Sequence, residues 1–395
     1  MKVGDDKLKH PDCATRLASA VYRFRVPTMT KTVSFARSFK TSGRHPMTFG
    51  KMTNSDSIRQ HLKDALEATP TSGERVFNEA AKYLPLINQI LLTCQVQPEM
   101  ARLDEHLIFE WKSGVESAPS PFASEALIFD LVMTCACQAL GKTISATESS
   151  MTGDFPASSR EFAVASGIFE SLAKDHLPKW IAKGTNLQIE KLPIEATVTS
   201  CEAFKELFLA NGQQMAIATV LKKPGIPNYS LIAKLCLGVT ERLETFLIIM
   251  RKNPSEMLGR LDKDLFSFIN IQIGLLRALT HYFHSRGLWE SMDYGCAIAT
   301  LQEAKKSLDM KSKGGGSMPD IPMNSPFAPL LKDIDDFKSH MLLLLRHYEE
   351  DNSTIYFESI PKIIPESKKL QTSVQLTKCT AYNLPDVAPL PLMMP

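Results

Sequence analysis

The feature that most constrains this chain is the spacing of its apolar residues, which recur every three or four positions from Ser55 onward. Ile58, Leu62 and Leu66 lie four residues apart, and a longer run with similar spacing covers residues 76–91. This spacing places the apolar side chains on one face of a helix. The chain is therefore predicted to be all-α, with its helices packed into a shared core.

The later helices are predicted to stack in pairs. Pro224-Gly225-Ile226-Pro227 cannot continue a helix, so the helices on either side of it should form a hairpin. Ala297, Leu301 and Ala304 have the small, large, small spacing of the second helix of a tetratricopeptide repeat. No strict period repeats, so irregular helix pairs are expected, with helices at about residues 157–183, 193–222, 228–252, 262–285, 290–308 and 327–349.

Residues 122–140 are apolar enough to suggest a membrane span. Asp130, Thr134 and Gln138, however, lie at positions i, i+4 and i+8 and so share one face of the same helix. A polar stripe of this kind is typical of a helix surrounded by the rest of a folded domain. A core helix is therefore predicted for this stretch.

Two short stretches favour extended structure. Leu107-Ile108-Phe109-Glu110-Trp111 is rich in β formers, which indicates a strand or an extended linker. Thr30 to Phe39 alternates weakly and is a second candidate for a short strand. The expected β element is small and lies in the N-terminal part of the chain.

Charge is concentrated near the N-terminus. The net charge is only +2, which argues against a generic nucleic-acid binder. Residues 1–46 contain an excess of Lys and Arg but no apolar segment typical of a secretory signal. We expect a basic, flexible leader there and a helical domain over residues 47–365, with a flexible loop at 311–326. The Pro-rich remainder, 366–395, is expected to be extended, and either lies over the domain or is mobile.

Motifs of catalysis and metal binding are weak. Leu140-Gly141-Lys142-Thr143 resembles the end of a phosphate-binding loop, but the required first Gly falls on Ala136. His281 and His284 share a helix without a third ligand at a useful spacing. The eight scattered cysteines form no CxxC pair, which favours reduced thiols and a cytoplasmic protein. No catalytic residue, metal or cofactor is predicted, although an all-α enzyme is not excluded.

Four stretches carry one family's pattern in the same order along the chain. Residues 107–112 match L-x-F-x-W-K, residues 162–169 contain A-S-G-I-F, residues 297–304 read AIATLQEA, and residues 351–361 read DNSTIYFESIP. Together they resemble the Bro-one domain family, the endosomal-sorting domain of Alix and Brox type, and are closest to its minimal, domain-only Brox-like members. The shared order of the motifs carries this resemblance.

The resemblance implies both a fold and a function. The fold would be a bent, elongated α-solenoid with tetratricopeptide-like helix pairs and a small β element. The function would be that of a non-enzymatic adaptor in the ESCRT pathway. Such an adaptor binds the C-terminal amphipathic helix of an ESCRT-III subunit, of the charged multivesicular body protein type, in an apolar groove. It would be cytoplasmic and recruited to endosomes through this partner, so that its membrane association is peripheral and indirect.

The resemblance also assigns docking residues. The stretch Leu231-Ile232-Ala233-Lys234-Leu235 is similar to the family's docking helix, with Leu231 and Leu235 as the matched apolar pair. At i and i+4 they would form a ridge on one helix face, and Lys234 can meet acids on the partner. A third contact, usually aromatic, falls on Ala216 with Ile217 beside it. This departure removes much of a potential hot spot.

Tyr356 belongs to the last family motif, between Ile355 and Phe357. We expect its ring to pack against the domain in an extended segment, and its hydroxyl is a possible phosphorylation site if it reaches solvent.

The docking helix has a second possible interpretation, in which Leu231 and Leu235 pack into the core, because leucines at i and i+4 are usually core residues. The chain would then be a generic tetratricopeptide-like scaffold that binds another peptide or protein partner. The exposure of Leu231 and Leu235 discriminates between the two interpretations.

Overall fold

A computed structural model of the chain describes residues 10–40, 46–100, 107–181, 189–309 and 327–391. Three short strands form one sheet, β1 (Thr28–Met29), β2 (Phe109–Lys112) and β3 (Phe122–Ser124). The α-helices of these residues are α1 (Asp12–Ala18), α2 (Phe35–Ser38), α3 (Pro46–Glu67), α4 (Gly73–Val96), α5 (Leu127–Met151), α6 (Phe155–Ser171), α7 (Leu177–Ile181), α8 (Val198–Lys222), α9 (Tyr229–Met250), α10 (Ser255–Arg260), α11 (Lys263–Glu290), α12 (Tyr294–Asp309) and α13 (Ala328–Asp351). The loop expected at 311–326 lies outside the described residues.

The long helices stack in chain order. α3 packs on α4, α4 on α5, α5 on α6, α6 on α8, α8 on α9, α9 on α11, α11 on α12 and α12 on α13. This arrangement is that of an α-solenoid, so the expected all-α fold is confirmed. Ala297, Leu301 and Ala304 of the tetratricopeptide-like helix are buried, which lets α12 approach its neighbours closely.

Polar residues set where the main helices begin. The side chains of Ser72, Asp154, Thr197, Asn228 and Asp262 each accept a hydrogen bond from a backbone N–H two or three residues further on. Each bond satisfies a donor that the first turn of a helix leaves unpaired.

The sheet is antiparallel, in the order β1, β2, β3. β2 confirms the strand predicted at residues 107–111, and its Trp111 lies opposite both Met29 and Phe122. The strand expected within Thr30 to Phe39 is wrong, because β1 ends before this stretch, at Met29, and Phe35–Ser38 within it form α2. Asp56 of α3 explains the helix, since its carboxylate accepts hydrogen bonds from the backbone N–H of Phe35 and from Ser34 Oγ.

The flexible leader expected over residues 1–46 is also wrong where the structure describes it. Residues 10–40 pack on the solenoid, with Leu17 and Phe24 buried in the core. Gln214 of α8 donates hydrogen bonds to the carbonyl oxygens of Ala18 and Ala20. The apolar residues between the basic ones therefore anchor this segment, and its charges lie on the outer side.

The polar stripe of α5 lies inside the protein. Asp130 is fully buried and accepts hydrogen bonds from Arg59, Tyr83 and Trp111. Burial and the neighbouring carboxylate raise the pKa of Tyr83, so its hydroxyl stays a proton donor. Of the described helices only α5 is long and apolar enough to span a membrane, and 83% of that stretch is buried within the fold. This agrees with the predicted core helix.

The C-terminal residues turn back across the helices in reverse chain order. We call residues 368–391 the strap. Hydrogen bonds join the strap to successive helices: Lys368 to His284 of α11, Val374 to Lys234 of α9, Leu376 to Gln213 of α8, Thr380 to Ala163 of α6, Tyr382 to Gln138 of α5 and Leu390 to Thr93 of α4. The sequence left open whether this segment is mobile, and the structure places it on the domain.

Candidate docking surface on α8 and α9

The break between α8 and α9 sets the position of Leu231. Gly225 has a φ of 98°, a conformation that side chains other than Gly rarely adopt. Asn228 then caps α9, because its side-chain oxygen accepts a hydrogen bond from the backbone N–H of Leu231 at 3.0 Å. Leu231 therefore lies in the first turn of α9.

The five residues assigned to docking differ in exposure. Leu231 is 43% exposed, whereas Leu235 is 4% exposed and Ile217 is fully buried. Lys234 and Ala216 are half-buried. The expectation that Leu231 and Leu235 form an exposed pair is thus wrong for Leu235, whose side chain belongs to the core. Residues four positions apart on a helix point in directions that differ by about 40° around its axis. This difference is enough to turn Leu235 toward the core while Leu231 faces solvent.

The strap crosses α9 one turn after Leu231. The backbone N–H of Val374 donates to the carbonyl oxygen of Lys234 at 3.0 Å. From α8, the Nε2 of Gln213 donates to Leu235 O at 2.7 Å and to Val374 O at 2.8 Å, while its Oε1 accepts from Leu376 N at 2.9 Å. One buried side chain therefore joins α8, α9 and the strap.

Three glycines leave room for the strap. A methyl group on Gly238 of α9 would overlap the carbonyl oxygen of Val374, and one on Gly167 of α6 would overlap that of Thr380. A methyl group on Gly212 of α8 would lie 3.0 Å from a methyl carbon of Thr377. The extended chain thus lies directly on the helix backbones.

Charged groups hold the strap on both sides of this crossing. Ser373 Oγ donates to Glu241 Oε2 at 2.5 Å. Arg242 pairs with Glu206 at 2.6 Å and donates its other nitrogen to Thr377 O at 3.3 Å. The segment between residues 373 and 377 is therefore fixed along its length.

The accessible surface near Leu231 is apolar and basic. Leu376 of the strap is 59% exposed. Lys223, after α8, and Lys378, two residues beyond Leu376, are both exposed. Lys234, one turn after Leu231, is half-buried. Such a surface suits an apolar ligand that also carries acids.

Tyr356 lies at another place, after α13. Its ring stacks on Tyr294 at a centroid distance of 3.6 Å and meets Trp289 edge-on at 5.7 Å. Residues Asn352–Tyr356 form a π-helical turn, not the extended segment expected. Tyr356 is 37% exposed, and its phosphorylation stays a prediction.

His281 and His284 line a cavity of about 190 Å³ between α9, α11, α12 and the C-terminal segment. Burial lowers the pKa of His281. Among the described residues no group of three His, Cys, Asp or Glu side chains is placed to hold a metal ion.

Gln213 and Leu376 were missed by the sequence interpretation, which followed apolar spacing. The signal that could have indicated the strap is the set of glycines inside three long helices, because Gly is unfavourable there unless another chain approaches closely.

Comparison with known proteins places this chain in a family. A family model described as the BRO1-like domain matches residues 50–388. The human BRO1 domain-containing protein BROX (Homo sapiens) is 23% identical over 346 residues, which cover 83% of this chain and 78% of that protein.

Two solved structures share the fold. A Bro1 domain, solved for the structural basis of its endosomal targeting, superposes with a TM-score of 0.70 at 15% identity, over 91% of this chain and 92% of that one. The BRO1 domain of ALIX, solved in a complex with CHMP4C, gives a TM-score of 0.69 at 15% identity, over 92% and 96% of the two chains.

Proposed function

This chain belongs to the BRO1-like domain family, and we propose that it is an endosomal-sorting adaptor that binds an ESCRT-III subunit. The family model covers residues 50–388, and a structural neighbour is the BRO1 domain of ALIX bound to CHMP4C. We propose a subunit of the same charged multivesicular body protein type as the partner, bound through its C-terminal amphipathic helix.

The observation that carries the proposal is Leu231, an apolar side chain that is exposed in the first turn of α9. Its neighbours Ile232 and Ala233 are buried, so the exposure is specific to the outer face of α9. An apolar residue with basic neighbours is suited to the apolar face of an amphipathic helix with acidic flanks. The docking surface proposed from the structure is Leu231 with Lys234 and Ala216, supported from beneath by Leu235 and Ile217.

The role is proposed to be that of a binding module without enzymatic activity. The chain would act in the cytoplasm and reach endosomes through its partner, so no direct membrane anchor is needed. The buried network around Asp130 fits a structural role, because Arg59, Tyr83 and Trp111 use both of its carboxylate oxygens.

A calorimetric titration of the full chain with a peptide of the CHMP4C C-terminus tests the proposal. We expect saturable binding with a Kd of about micromolar order, which corresponds to roughly 8 kcal/mol. A scrambled peptide of identical composition is the control, since it keeps the charge and loses the apolar face. Equal binding of the two peptides, or none of either, would contradict the proposal.

A further inference from the structure

Leu376 enlarges the exposed apolar surface of α9 from outside the helix. The strap bond between Val374 N and Lys234 O connects the two elements. Leu231 precedes Lys234 by about 4.5 Å of helix rise, and Leu376 follows Val374 by roughly 7 Å of extended chain. Together with the 3.0 Å hydrogen bond that joins these steps, the two exposed leucines are on the order of 10 to 15 Å apart, which is about two to three turns of a partner helix.

Leu376 is also bound to α8, one helical turn before Ala216. Its backbone N–H is bound to Gln213 Oε1 at 2.9 Å, and Gln213 and Ala216 are one turn apart on α8. The strap thus brings a large apolar side chain to the part of the surface where α8 itself offers only a methyl group.

The backbone of Leu376 is fixed before any partner arrives. Val374 and Thr377, on either side of it, are hydrogen-bonded to Gln213 and Arg242. A fixed backbone lowers the entropy that a contact residue loses on binding, so an exposed side chain there is well suited to act as an anchor.

The charges beside these leucines indicate the chemistry of the partner. Lys223 and Lys378 are exposed and Lys234 is half-buried. Of the two acids that contact residues holding the strap, Glu206 is neutralised by Arg242, whereas Glu241 accepts a hydrogen bond from Ser373 and keeps its charge. The three lysines therefore outnumber the one unpaired acid. A partner with acids beside its apolar face would be attracted, and a basic one would be repelled.

We propose that Leu376 is the third apolar contact of the docking surface, supplying the bulk that Ala216 lacks. The occupant is an acidic amphipathic helix whose apolar side chains, two to three turns apart, contact Leu231 and Leu376. This inference rests on the proposed function and adds the strap to the surface that performs it.

The test is a titration of the full-length Leu376→Asp variant with the CHMP4C C-terminal peptide. We expect binding to weaken about tenfold, as for the loss of one hot-spot side chain. Ile363→Asp is the matched control, because Ile363 is also an exposed apolar residue of the C-terminal segment, 81% accessible, but precedes the strap. It should bind like the wild type, and both variants should melt like the wild type.

A second pair of variants tests the relation to Ala216. Leu376→Ala should weaken binding less in an Ala216→Phe background than in the wild type, because the ring would supply the missing contact. Equal losses in both backgrounds, or equal losses from Leu376→Asp and Ile363→Asp, would overturn the inference. If Leu231→Asp abolishes binding and Leu376→Asp does not, only the role of the strap fails. If the wild type does not bind the peptide, the proposed function and this inference fail together.

Discussion

The side-chain amide of Gln213 binds Val374 as the peptide group of a neighbouring strand would. Its Nε2 donates to Val374 O at 2.8 Å, and its Oε1 accepts from Leu376 N at 2.9 Å, two residues further along the strap. Gln213 is fully buried, so water competes little for these bonds. The strap is therefore fixed to the helices by a side chain and not only by apolar packing.

Gln213→Ala should free this part of the strap. The variant leaves Val374 O and Leu376 N without their partner, at a cost of about 1–3 kcal/mol. We expect faster hydrogen exchange at the Val374 and Leu376 amides. Gln214→Ala is the control, because Gln214 is equally buried but binds the Ala18 and Ala20 carbonyls. Similar exchange at the strap in both variants would contradict the assignment.

Gly238→Ala should destabilise the protein although Ala is the better helix former. In a helix without neighbours the change would stabilise by up to about 1 kcal/mol. The added methyl group would meet Val374 O, so the strap must shift. Gly274→Ala in α11 is the control, since its methyl group would meet nothing within 4 Å. The melting temperature should fall for Gly238→Ala and rise for Gly274→Ala. A higher melting temperature of Gly238→Ala would mean that the strap does not pack on α9.

The buried ion pair of Arg59 and Asp130 gives a prediction for the core. Arg59→Met leaves the Asp130 carboxylate buried without its counter-charge, which should lower the free energy of unfolding by about 3–5 kcal/mol. Arg277→Met is the surface control, because the Arg277–Glu244 pair is 52% and 39% exposed. Loss of this exposed ion pair should lower the free energy of unfolding by less than about 1 kcal/mol. Chemical denaturation of both variants measures the difference.

Glu116 should make stability depend on pH. Burial raises its pKa to about 7 from an ordinary 4.5, against the opposing effect of Arg260. The folded protein then holds a proton that the unfolded chain releases between these values. The resulting stabilisation is complete below about pH 4.5 and is lost as the pH rises through 7.

The melting temperature of the wild type relative to Glu116→Gln measures this effect. The difference should decrease as the pH rises from 5 to 8. A difference that grows with pH would contradict the assignment.

Helical periodicity was enough to predict α6, α8, α9, α11, α12 and α13 as irregular stacked helices, whereas the α-solenoid was implied by the family resemblance. The leader and α2 could not be predicted in this way. Their structure depends on distant partners, such as Asp56 for Phe35 and Gln214 for Ala18. Contacts between residues so far apart in the sequence cannot be predicted from local composition.

The candidate site was predictable only in part. The motif placed Leu231 on α9, but spacing alone could not decide which way Leu235 is turned, since both leucines fit one face. The burial of Leu235 in the core changes its expected substitution effect. Leu235→Asp should now unfold the protein by placing a charge in the core, instead of removing binding alone.

The most direct test of the account is the binding of the CHMP4C C-terminal peptide to Leu231→Asp. A matched control is Ile248→Asp, because Ile248 is also exposed on α9, at 59%, but lies about 100° around the helix from Leu231. We expect both variants to melt like the wild type, Ile248→Asp to bind normally, and Leu231→Asp to lose binding at least about tenfold. Normal binding by a folded Leu231→Asp variant would contradict the account.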